Sequence, residues 1–223
     1  MTAPIDREAG TRAEREPSAL APVARRPAAG DWARLRRDFE RLRRVKSRSL
    51  LLALADALLL DSGFQALLAH RLAHALARRR VPLLPAVCRR WAIGACGVDI
   101  LPRAEIGGGC IVAHGIGLVI GGETVIGDDA TLLHAVTLGE VRFDELACPR
   151  LGDRVTVGAG AAVLGGVTVG DDAVIGAGAV VLADVPAGAR VAGVPARIVG
   201  RAAPGGATSD EAMDSDATTR GAP

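Results

Sequence analysis

A six-residue period runs through the second half of this chain and limits its fold more than any other feature. Aliphatic residues fall at Ile100, Ile106, Val112 and Leu118, and after a two-residue slip they resume at Ile126, Leu132 and Leu138. After a longer interruption they return at Leu151, Val157, Val163, Val169, Ile175 and Val181. Two residues before most of these starts sits a smaller side chain, such as Cys110, Thr124, Ala130, Ala161, Ala173 or Ala179. Thirteen starts on one period are an internal repeat. Each hexapeptide makes one short strand and a turn, three make a triangular coil, and stacked coils share one apolar interior. The pattern predicts a parallel β-helix.

Upstream the period is helical. Trp32, Leu35, Phe39 and Leu42 recur at helical spacing, and the arginines between them (Arg34, Arg36, Arg37, Arg41, Arg43, Arg44) read as a solvated basic face. The apolar run "SLLLALADALLLD" reads as a buried helix, being too short for a bilayer and containing Asp56. "DSGFQ" breaks the pattern, and Ser62 with Gln65 has capping-box spacing for the next helix. That helix should end before "VPLLP", where two prolines bracket an extended link. The expected organisation is a disordered tail at 1–30, a helical domain at 31–95, a β-helix at 96–201 carrying a loop at 139–150, and a disordered tail at 202–223. The fold class is α + β.

Composition narrows the function classes. A net charge of +2 and an aromatic content of 2% give no reason to expect a nucleic-acid partner. Cys88, Cys96, Cys110 and Cys148 are scattered with no CxxC pair, which argues against a zinc knuckle or a disulfide framework. The first 30 residues lack the apolar core of a signal peptide. A cytoplasmic protein without membrane attachment is the expectation.

Register then singles out one corner. With three hexapeptides per coil, every third start shares a face, so 112, 132, 157 and 175 form a column. Two residues past those starts stand His114, His134, Ala159 and Ala177. The second column gives Ile120, Glu140, Gly165 and Ala183; the third gives Gly108, Asp128, Asp153 and Asp171, an acidic ladder that reads as solvated surface. One edge therefore carries two histidines on adjacent coils, ~4.8 Å apart, and continues into two alanines that leave the backbone open to an extended ligand. Asp99 lies fifteen residues before His114, near the same edge, where a carboxylate could orient the ring and leave its other nitrogen free as a base. The loop at 139–150 is long for a coil turn and could fold over the histidine corner. Cys148 within it reads as a passive loop cysteine.

The stretches "GVDILPRAEIGGGCIVAHGIGLVIGGETVIGDDATLLHAVTLG" and "VGAGAAVLGGVTVGDDAVIGAGAVVLADVPAGARVAGVPARIVG", with "GFQALLAHRLAHAL" upstream, resemble the serine acetyltransferases. The resemblance covers roughly residues 60–201. It implies a left-handed β-helix and acetyl transfer from acetyl-CoA, as co-substrate, to the serine hydroxyl in cysteine biosynthesis. It makes His114 the general base and Asp99 its orienting partner. Gly139 would present a backbone N–H to the thioester carbonyl, Ala159 and Ala177 would lie along CoA, and Arg197 would meet the CoA phosphates. It also implies a homotrimer or dimer of trimers with active sites between subunits, and no metal. The sequence departs from the family's usual pattern at Ala113, Ala147, Cys148 and Glu140, which alters the amino-acid end of the site. It ends without the isoleucine that docks family members onto cysteine synthase, so that association is not expected.

Other readings stay open at this stage. A different hydroxylated or amino acceptor fits the same machinery. A zinc lyase of the carbonic anhydrase type needs three histidine ligands, and only His114 and His134 lie in the β-helix. A non-catalytic trimeric scaffold is the third.

Overall fold

The computed structural model describes residues 30–46, 49–142 and 147–201. The tails, apart from Gly30, lie outside them, as do residues 143–146 of the long loop. Among the described residues four helices precede fifteen short strands: α1 (Asp31–Lys46), α2 (Leu50–Leu59), α3 (Ser62–Arg78) and α4 (Leu84–Cys96).

The strands form three sheets, the faces of a prism. The first face stacks β1 (Asp99–Ile100), β4 (Val119–Ile120), β7 (Thr137–Gly139), β10 (Ala162–Leu164) and β13 (Val180–Val181). The second stacks β2 (Glu105–Ile106), β5 (Val125–Ile126), β8 (Arg150–Leu151) and β11 (Thr168–Val169). The third stacks β3 (Ile111–Val112), β6 (Thr131–Leu132), β9 (Thr156–Val157), β12 (Val174–Ile175) and β14 (Ala189–Ala192). All these neighbours pair in parallel, and β15 (Arg197–Arg201) closes the top antiparallel to β14. The repeat positions fill the interior: Ile106, Leu132, Leu138, Leu151, Val157 and Ile175 are essentially inaccessible, and so are the small residues Cys110, Ala130, Ala161 and Ala173. Burial pushes the Cys110 thiol up to about 12.

The period is misplaced at one start. Ile120, not Leu118, pairs with Ile100 and Leu138. Both side chains are fully buried, so both fit an inward aliphatic. The two-residue slip therefore lies inside the turn after β3, and in the second column the residue two past the start is Gly122 rather than Ile120.

Further expectations are corrected by the contacts that the fold makes. The acidic ladder is more than solvated surface, because Asp128, Asp153 and Asp171 each accept a backbone N–H from the coil below: Gly108 (2.8 Å), Asp128 (2.8 Å) and Asp153 (2.9 Å). The basic face of α1 docks onto the prism. Arg37 binds Asp128 and Asp129, while Arg41 donates to the Gly109 and Ala130 carbonyls and to Thr131 Oγ1. The cap of α3 is Asp61, whose carboxylate accepts the Phe64 N–H at 2.8 Å; Gln65 instead donates to the Leu58 carbonyl. The link before α4 is residues 79–83, and Pro85 falls in the first turn of α4, where a missing N–H costs nothing.

The helical domain grips the β-helix through buried polar groups. Arg71 and Asp38 form an ion pair at 3.1 Å with almost no exposure. Arg71 also donates to the Ile106 and Gly107 carbonyls, and Asp38 accepts the Cys110 N–H. Each charge thus has a partner and further hydrogen bonds, the condition for burying it. No local pattern marks this pair, whose members lie 33 residues apart. Helix α2 is not a buried helix within one chain: Leu50, Leu51, Leu52, Leu54, Leu58 and Leu59 are all exposed, and its buried residues are Ala53, Asp56 and Ala57. Lys46 holds Asp56 at 2.5 Å and Asp61 at 2.8 Å. Among the described residues no single helix is long and apolar enough to cross a membrane.

Candidate active site

The edge between the third and first faces is where the histidines stand. A hydrogen-bond ladder fixes its register: Ala135 N–H donates to the Ile116 carbonyl, Gly160 N–H to that of His134, and Gly178 N–H to that of Ala159. The column is therefore Ile116, His134, Ala159 and Ala177. His114 shares the edge with His134 but sits two residues earlier, in the turn that the insertion widens. This corrects the strict alignment of the two rings.

That turn is held open and braced from below. His114 has φ +52°, the left-handed region that costs a non-glycine residue energy. Regular turns of this prism put their left-handed residue three past the start, as at Asp129, Arg154 and Asp172; His114 is displaced from that pattern, and its imidazole is exposed. Under it, Val98 is fully buried and packs so tightly that a Cβ on Gly115 would come within 2.9 Å of its methyl. Gly63 at the start of α3 presses on the Val112 carbonyl, where a Cβ would stand at 1.9 Å. The helical domain thus sets the floor of the histidine turn.

Asp99 opens β1 and pairs in register with Val119, which begins the strand leaving the His114 turn. Its carboxylate is held by Arg89 of α4, Nε to Oδ1 at 2.5 Å and Nη2 to Oδ2 at 2.7 Å. The hydrogen bond to Asp99 raises the Arg89 guanidinium above its ordinary pKa. No spacing or motif in the sequence signals Arg89.

Beyond His134 the edge stays low. Ala159 and Ala177 alternate with Gly160 and Gly178, each with open space where a side chain would project. The ledge ends at the β14–β15 connection, where Val180 N–H binds the Gly193 carbonyl and Ala196 N–H binds that of Val180. Arg197 follows at the head of β15, exposed, with Nη1 donating to the Ala196 carbonyl. From Ile116 to Gly193 is four coil steps, about 19 Å at ~4.8 Å each. The edge therefore collects His114, His134, Ala159, Ala177 and Arg197, with Asp99 beside it.

Gly139 lies elsewhere. It ends β7 opposite Leu164, at the far border of the first face, with nothing within 4 Å of a hypothetical Cβ. The long loop leaves from the same border: Cys148 is buried against Gly121, its Sγ 3.9 Å from Glu140 Oε1, and Val141 lies against Gly165. Within one chain, then, the described part of the loop does not cover the histidine edge. Among the described residues no three His, Cys, Asp or Glu side chains gather as a metal would need, so the zinc alternative lacks a ligand set there.

Comparison with known proteins bears on the fold and the family. Residues 149–183 match the family model of the bacterial transferase hexapeptide (six repeats). A serine acetyltransferase of Helicobacter pylori is 48% identical over 115 residues, 51% of this chain and 67% of that protein. Among solved structures, a serine acetyltransferase of Brucella abortus in complex with coenzyme A superposes with a TM-score of 0.72 at 36% identity, covering 78% of this chain and 69% of that one. One from Neisseria gonorrhoeae in complex with serine gives 0.68 at 35%, covering 75% and 68%. The prism is accordingly a left-handed parallel β-helix of hexapeptide repeats preceded by a helical domain, and the chain belongs to the serine acetyltransferase family.

Proposed function

We propose that the protein is an acetyl-CoA-dependent serine O-acetyltransferase in which His114 is the general base. The observation that carries this reading is an exposed imidazole on a strained, braced turn at the foot of a ledge about 19 Å long. His114 takes the proton of the acceptor hydroxyl as the oxygen attacks the thioester carbonyl carbon. The tetrahedral intermediate collapses with cleavage of the carbon–sulfur bond, and the proton returns from His114 to the CoA thiolate. Asp99 orients the ring. Ala159 and Ala177 leave the backbone free for the pantetheine arm, and Arg197 meets the phosphates at the top of the ledge.

Gly139 would supply an N–H to the developing oxyanion. Its position at the far border supports a site built between neighbouring copies, the His114 edge of one facing the Gly139 border and loop of the next. The assembly is then a homotrimer or a dimer of trimers. The four free cysteines fit a reducing compartment, the cytoplasm.

The test is release of CoA thiol by the full chain with acetyl-CoA and L-serine. His114→Ala should reduce turnover about 10²–10⁴-fold. No thiol release on L-serine, or undiminished turnover in His114→Ala, overturns the reading.

A further inference from the structure

The Arg89–Asp99 pair is built with more geometry than its stability role requires. Both guanidinium contacts are short, at 2.5 and 2.7 Å, and each goes to a different carboxylate oxygen, the planar fork that lysine cannot form. The side chains are 37% and 27% exposed, so solvent screens the attraction and the pair adds little to folding. α4 is anchored without it, since Ala92 and Cys96 are buried and the helix ends in a left-handed cap at Gly97. Two residues after that cap the chain enters β1, which brings the guanidinium back onto the first side chain of the prism beside the His114 turn.

We propose that Arg89 is a positioning residue for acetyl transfer: it fixes the Asp99 carboxylate in one orientation on the histidine edge and offsets its charge. The inference rests on the reading of His114 as base and Asp99 as its partner. The titratable and charged groups that the surrounding elements bring to this edge are Arg89 from α4, Asp99 from β1, His114 from the turn after β3 and His134 from the turn after β6. The remaining neighbour, α3, directs His74 away to the Pro102 carbonyl at 2.9 Å.

The electrostatic argument has a sign. A bare carboxylate beside an imidazole favours the imidazolium and raises its pKa. A carboxylate already paired with a guanidinium presents almost no net charge, and removing the guanidinium uncovers that charge beside the ring. The pairing also restricts the carboxylate to one orientation. A carboxylate has about four lone-pair sites and Arg89 takes two of them, which leaves acceptor capacity for the ring.

The experiment is the pH dependence of kcat/KM in Arg89→Gln, Arg89→Lys and the double variant Arg89→Gln with Asp99→Asn. In Arg89→Gln the acidic limb should move up by on the order of 0.5–1 pH unit, and kcat at pH 8 should fall several-fold as the carboxylate loses its fixed orientation. Arg89→Lys should return the limb towards the parent value, because charge is restored, while kcat stays low, because the fork is not. In the double variant the upward displacement should vanish, since no carboxylate charge is left to uncover. Limbs that coincide in parent and Arg89→Gln overturn the proposal, as does a displacement that survives in the double variant. Should Arg89→Gln fail to fold, the Arg89→Lys split between limb and kcat is the deciding result, and a parent-like kcat there overturns it. His114→Ala separates the two readings: if it is inactive while Arg89→Gln matches the parent, only the role of Arg89 falls. If it retains full turnover, the base assignment itself falls.

Discussion

At the scale of single residues, the candidate site is made as much by what is missing as by what is present. The proposed base, His114, stands on a turn that departs from the regular one, and the proposed path for CoA follows an edge that carries alanine and glycine above His134. Ala159→Leu should therefore act on the cofactor and not on the chemistry. Its side chain would occupy the ledge one coil above His134, and KM for acetyl-CoA should rise roughly tenfold with kcat nearly unchanged, the signature of lost uniform binding. Steady-state kinetics at varied acetyl-CoA measures it, and an unchanged KM would remove that residue from the cofactor path. These small residues were legible in the sequence because the six-residue count aligns 134, 159 and 177 without ambiguity. The count failed one step away. Leu118 and Ile120 are both buried aliphatics, and only the strand pairing of Ile120 with Ile100 and Leu138 reveals that the extra residues lie in the histidine turn.

At the scale of elements, the helical domain works as the foundation of that turn, and its contacts were the least legible part of the chain. A run of arginines looks the same whether it faces water or carbonyl groups. That Arg41 serves Gly109 and Ala130, 68 and 89 residues away, is a property of the fold and of no local pattern. The joint makes two predictions. Gly63→Ala would drive a methyl group into the Val112 carbonyl, 1.9 Å away before relaxation, two residues before His114. Because the obstacle is backbone, it should cost about 1–3 kcal/mol in denaturant unfolding and lower turnover by shifting the turn. The second concerns pH. His70 is buried beside Arg71, and desolvation first, then the Arg71 and His74 charges, hold its pKa well below the ordinary 6.5. The unfolded chain therefore takes up the proton first. His70 contributes stability that is present above about pH 6.5 and is lost as pH falls below it, at up to about 1.4 kcal/mol per pH unit. Thermal unfolding between pH 7 and pH 5 should decline more steeply in the parent than in His70→Gln, and equal slopes would show that the ring is not the titrating group.

At the scale of the whole molecule, two features make little sense in a single chain. Helix α2 turns six leucines to solvent, more apolar surface than an isolated element of this size leaves uncovered without a partner. The groups proposed for one reaction stand at opposite borders of the first face, His114 where the chain enters it and Gly139 where the chain leaves. Cyclic assembly answers the second problem directly, because rotation about a threefold axis brings one border of each copy against the other border of the next. This has a quantitative consequence. Gly139→Val should inactivate the protein, since its side chain would enter open space where the thioester carbonyl is proposed to lie. His114→Ala should inactivate it through the base. Denatured together in equal amounts and refolded, the two inactive variants should regain about a quarter of the parent turnover, because a random ring joins an intact His114 edge to an intact Gly139 border in one pair out of four. A site contained within one chain allows no recovery at all, since every chain in the mixture carries one of the two lesions.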